Sequence, residues 1–149
     1  MKEIKQLHQQ IGLSTLKFVI FYILTLGFYD MVWLYSANNA FEKCLNTKVK
    51  SATYLIMYVI VCAWSHFFLS FPDEESYQIF LAIGACLNFV QFVMGFIWAN
   101  SARYQLTYHC LAKHNIQLKT HTIYVLLFNY FYINYLINHL AKLELTESA

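Results

Sequence analysis

Charge is scarce in this sequence. Asp, Glu, Lys and Arg make up 12% of the 149 residues, while hydrophobic residues make up 59%. A soluble globular domain carries about 25% charged and 45–50% apolar residues. The deficit leaves too little polar surface for a water-soluble fold and points to a chain solvated largely by lipid. The formal net charge is only +2 and no basic stripe is present, so no nucleic-acid partner is expected. Catalytic signatures are missing too. There is no Gly-rich phosphate loop, no Ser-x-x-Lys, no Gly-x-Ser-x-Gly and no His-Glu-x-x-His. Cys44, Cys62, Cys86 and Cys110 form no Cys-x-x-Cys pair, which argues against a disulfide framework. No small-x-small cleavage site follows the apolar stretch after Lys17, so a cleavable signal peptide is not expected.

What the chain does have is four apolar segments, read as one polytopic membrane domain over residues 1–149. They run over about 16–35, 52–71, 77–102 and 122–140. The second and third contain no Asp, Glu, Lys or Arg. Each is long enough to cross about 30 Å of hydrocarbon, which takes about 20 residues of helix. The link between them is Pro72-Asp73-Glu74-Glu75-Ser76. Proline disfavours helical geometry at Phe71, Asp73 is placed to cap the next helix, and Glu74 and Glu75 suit its positive end. The expected fold is therefore all-α and membrane-integral, with a central antiparallel transmembrane hairpin. The outer segments are interrupted, the first by Gly27 and Asp30, the last by Asn129, Asn134 and Asn138.

Two topologies stay open. Lys and Arg near membrane segments favour the cytoplasmic side. If all four segments span, Lys43, Lys48, Lys50, Arg103, Lys113 and Lys119 face Lys2, Lys5, Lys17 and Lys142 across the membrane, a weak bias. If the outer segments dip in and return, all 10 basic residues fall on one side. The loop with Asp73, Glu74 and Glu75 is then alone on the other. Gly27 is the plausible turning point, because glycine tolerates backbone geometry closed to other residues.

The stretch Leu24-Thr25-Leu26-Gly27-Phe28-Tyr29-Asp30-Met31-Val32-Trp33-Leu34-Tyr35 resembles the signature of a bacterial membrane family, domain-of-unknown-function family 4234. Its members carry a Thr-Leu-Gly-aromatic-Tyr…Trp-x-Tyr segment in the first apolar helix. Tyr132-Ile133-Asn134-Tyr135-Leu136-Ile137-Asn138 is similar to that family's closing Tyr-x-Gln-x-x-x-Asn pattern, with Asn134 in place of Gln. The resemblance implies a multi-pass protein, expected in a bacterial inner membrane, and implies no activity.

Several polar residues inside the apolar segments are candidate sites. Gly84, Asn88, Gln91 and Gly95 are spaced by four, three and four, so they share a helical face. Small residues and amides on one face suit close helix packing, and the same stripe could line a pore. The stripe covers about 16 Å at 1.5 Å per residue, about half the hydrocarbon depth, so packing is the expected role. His66 closes a row with Tyr54, Tyr58 and Cys62 and lacks an acidic partner in its own segment. Asp30 is read as an interfacial residue near Trp33 and Tyr35, with a buried ion-pair, proton-carrying or ion-ligand role as the alternative. His109, Cys110 and His114 invite a metal, but their spacing does not place both histidines on one helical face and His121 is distant. No metal, cofactor or catalytic residue is expected. The expected function is a non-enzymatic helix-packing scaffold, regulator or accessory subunit, in contact with the lipid bilayer and a membrane-protein partner or second copy. An oligomeric channel or transporter component is the alternative.

Overall fold

The computed structural model describes residues 2–72 and 74–147, with the backbone alone for 143–147. The described residues form helices and connecting turns. The chain opens with α1, Lys2–Ile11. Its apolar residues Ile4, Leu7 and Ile11 are buried, and their spacing of three and four puts them on one face. That face packs on α3 and α6, described below. Sequence reading passes over this helix because its stripe is only three residues long.

The first apolar segment is two helices rather than one. Ser14 caps α2, Thr15–Leu24, by accepting a hydrogen bond from the Lys17 amide. Leu26 at φ 51° and Gly27 at φ 90° then turn the chain back. Thr25 stitches this turn: its hydroxyl donates to the Phe21 carbonyl at 2.7 Å and accepts from the Tyr29 amide at 2.9 Å. Beyond the turn, α3 runs Tyr29–Leu45 and ends on Asn46 in the left-handed conformation.

Ser51 caps α4, Ala52–Leu69. A short 3-10 turn at Glu75–Tyr77 leads into α5, Gln78–His114. The expected capping role of Asp73 lies outside the described residues. At 37 residues, α5 outruns the expected stop at Ala102. The charges that begin at Arg103 end the apolar composition of the segment, but they are good helix formers and do not end the helix. Asn115 does, with the Ile116 amide reaching back to the Cys110 carbonyl at 3.1 Å. Helices α4 and α5 pack against each other, and both are long and apolar enough to cross a membrane.

The last helix, α6, covers Thr122–Glu147 and breaks at Asn129, with φ 46° and ψ −124°. It lies on α5, α1 and α2. The core gathers around Trp98, whose indole meets Trp33 edge-on at a centroid distance of 5.9 Å. Phe41, Leu106, Ile133 and Ile137 complete it, all fully buried. Trp33 thus belongs to the core, not to an exposed interfacial belt, and its indole donates to the Ile11 carbonyl at 3.1 Å. Glu3 of α1 meets the Lys113 ammonium of α5 at 3.6 Å, which fixes α1 at the C-terminal end of α5. A backbone hydrogen bond, helped by that cation, holds the Glu3 carboxyl below its ordinary range.

Candidate functional site

Three elements converge on one carboxylate. The turn at Leu26–Gly27 starts α3 so that Asp30 points into the protein, where it is 1% exposed. Its Oδ2 accepts from the Tyr58 hydroxyl of α4 at 2.9 Å and from the Tyr130 hydroxyl of α6 at 2.8 Å. Both phenols are buried. This corrects the interfacial reading of Asp30. Trp33, three residues further on, packs into the core and draws Asp30 inward with it. The second carboxylate oxygen, Oδ1, is buried with no hydrogen-bond partner.

Beside this triad lies a cavity of about 130 Å³, lined by Tyr22, Tyr58, Asn88, Gln91, Phe92, Asn129 and Tyr130. Asn129 Oδ1 and Gln91 Oε1 are also buried without a partner. The unpaired Gln91 and Asn129 oxygens belong to residues that line the cavity, and a cavity of that size leaves room for water or a small cation to satisfy them. Gly95 is the reason Asn129 can come so close. A Cβ at residue 95 would stand 2.7 Å from the Asn129 side-chain nitrogen, so a larger residue there would push that side chain aside.

The stripe of α5 therefore divides. Gly84 packs on Leu69 of α4, and its carbonyl accepts from the Ser65 hydroxyl at 3.2 Å. Gln91 and Gly95 face the cavity and Asn129. Asn88 touches the cavity and remains exposed, so it offers an amide on an otherwise apolar surface. His66 stays near its own helix, with Nδ1 2.9 Å from the Cys62 carbonyl and its ring against Phe28 at 4.9 Å.

Asn134 and Asn138 lie in a different place and do different work. Asn134 donates to the Leu13 carbonyl at 2.8 Å and accepts from the Leu13 amide at 3.3 Å. Asn138 donates to the same carbonyl at 2.6 Å. They satisfy the backbone groups freed where α1 gives way to α2. Asn38 does the same for Lys50, bonding its carbonyl and amide at 3.1 and 3.0 Å, and also accepts from the Trp98 indole at 3.2 Å. Sequence reasoning misses Asn38 because it sits at the edge of an apolar segment and looks like loop polarity. Tyr130 is missed for another reason: in a chain with 12 Tyr, none stands out by type.

Residues 13–107 match the family model described as Domain of unknown function (DUF4234), and the chain belongs to that family. The match covers the turn at Gly27, Asp30, Tyr58 and the stripe of α5, but stops before Tyr130. No curated protein matches the chain, and no solved structure does.

Proposed function

We propose that this member of the family is an integral membrane protein whose α4–α5 hairpin crosses the bilayer while α2 and the start of α6 enter from one side and return. Its role is non-enzymatic: it packs against a membrane-protein partner or a second copy of itself as a scaffold, regulator or accessory subunit. The observation that carries this is the exposure of the hairpin. Of its two apolar windows, only 22% of the first and 11% of the second is buried inside the protein. In water such a surface would be an aggregation site, whereas lipid or another helix covers it at no cost.

The re-entrant geometry rests on length. At 10 residues, α2 reaches about 15 Å, half of the hydrocarbon thickness, before the chain turns at Gly27. The stretch of α6 before Asn129 is shorter still. With Glu3 docked on Lys113, α1 lies at the end of α5 remote from Glu74 and Glu75, where the basic residues collect. That arrangement fits a bacterial inner membrane with the basic end cytoplasmic.

Impermeant labelling of single cysteines, in a background lacking the four native ones, tests the topology. Positions 5 and 145 are expected to label from the cytoplasmic side and position 74 from the opposite side. Labelling of 5 and 145 together with 74 would replace the re-entrant arrangement with four spans.

The unpaired oxygens beside the cavity favour a second reading, a channel or transporter component. Conduction needs polar groups through the full bilayer depth, and the stripe supplies about half of it. Ion or solute flux in liposomes containing the purified protein, abolished in Asn88→Ala, would establish this reading over packing.

A further inference from the structure

At the far end of α5, away from the Asp30 cavity, Glu3, His109 and His114 bring one donor atom each to within 4.8 Å of one another. His109 is 4% exposed, and its Nε2 is buried with no hydrogen-bond partner. The two imidazoles have centroids 5.9 Å apart, although a spacing of five on a helix is not a same-face spacing. Sequence spacing separates the two histidines, and the third residue comes from α1, at the other end of the chain.

We propose that Glu3, His109 and His114 form a binding site for a zinc-like divalent cation. Two neutral imidazoles and one carboxylate are a donor set that holds zinc with a fourth position open to water. Metal–ligand bonds of about 2.0–2.2 Å place tetrahedral donors roughly 3.4 Å apart, so donors now up to 4.8 Å apart must close by up to about 1.4 Å. The Glu3 side chain is 32% exposed and that of His114 16%, so Glu3 has the greater freedom to move, and Glu3 Oε2 already stands 3.9 Å from His114 Nε2. One competing group is Lys113, whose ammonium lies 3.6 Å from Glu3 Oε1 and is more than half exposed, free to swing into solvent when the cation binds. The ion would fasten α1 to the end of α5. This holds whether or not the hairpin spans a membrane.

The test uses the full chain, purified in mild detergent without an oligohistidine tag. Bound zinc is measured after dialysis, and Co²⁺ absorption reports coordination geometry. The expected result is one ion per chain with a tetrahedral Co²⁺ spectrum. Loss of an outer-shell partner costs roughly 10–100-fold in metal affinity, so Glu3→Gln and His114→Ala are expected to exceed that. His109→Ala is the riskier variant because the residue is buried, and the other two keep the test sound if it misfolds. Lys113→Gln is expected to bind zinc as tightly as the parent or more tightly, since it removes a positive charge from the site. His8→Ala and His121→Ala are expected to leave binding unchanged. Substoichiometric zinc, or zinc retained equally by Glu3→Gln and His114→Ala, would overturn the proposal and leave an ion-pair cluster. A site that binds zinc but weakens in Lys113→Gln would do the same.

Discussion

Between Ile60 and Phe92 the hairpin carries most of its large side chains outward, whereas from Trp98 to Cys110 α5 buries Trp98, Leu106 and Cys110 completely. The first region is held by little more than the α4–α5 contact, with Ser65 on Gly84 and the ring stack of Phe68, Phe71 and Phe80. The second is wrapped by α1, α3 and α6, with the buried Trp98 indole donating to Asn38 Oδ1. The second region is the more polar in sequence, with Asn100, Arg103, Gln105 and His109, yet it is the one that is buried. What separates them is whether the rest of the chain can reach them. α1 to α3 and α6 all dock at one end, so the other end must find its neighbours outside the molecule.

The largest effect is expected where the wrapped region is densest. Trp98→Ala removes a fully buried indole at the centre of the core and should cost about 3–5 kcal/mol. Thermal unfolding in detergent, read by circular dichroism, measures it; a change under 1 kcal/mol would mean the two regions are equally loose. Next comes a charge on the outward region. Phe89 is 68% exposed, so Phe89→Arg would be harmless in a water-soluble protein. In a spanning helix an arginine near the centre costs about 2.5–3.5 kcal/mol on insertion scales. The fraction surviving carbonate extraction of membranes should fall sharply, and unchanged retention would place this surface outside the bilayer.

Tyr130→Phe should cost about 1–3 kcal/mol, because it strips one donor from the buried Asp30 carboxyl. Tyr35→Phe, at an exposed hydroxyl, should cost nothing measurable in the same unfolding assay. Equal effects would deny the polar lock its role in holding α3, α4 and α6 together. Asn88→Ala is expected to spare folding and to weaken association by about 0.6–2 kcal/mol, the value of one interhelical amide bond. Crosslinking yield or analytical sedimentation in detergent reads it. Smallest of all, Phe89→Leu should leave both folding and insertion near the parent, since lipid replaces the lost ring contacts.

The sequence by itself determined the helical class, the two long charge-free segments, the reversal between them and the break at Gly27. Each of these follows from local or additive physics: residue-by-residue transfer free energy, the backbone freedom of glycine and the missing N–H of proline. It also marked Asn129, Asn134 and Asn138 as polar groups waiting for partners. The tertiary structure alone decided who those partners are. Asp30 meets Tyr130 across 100 residues and Asn134 meets Leu13 across 121. Glu3 joins His109 and His114 only because the apolar face of α1 lays it along the helices that follow. A hydrogen bond is worth little until geometry fixes donor and acceptor within about 3 Å. That geometry depends on which helix faces pack together. In this chain, where aromatic and aliphatic side chains cover nearly every face, composition leaves many packings open and the few buried polar pairs select one.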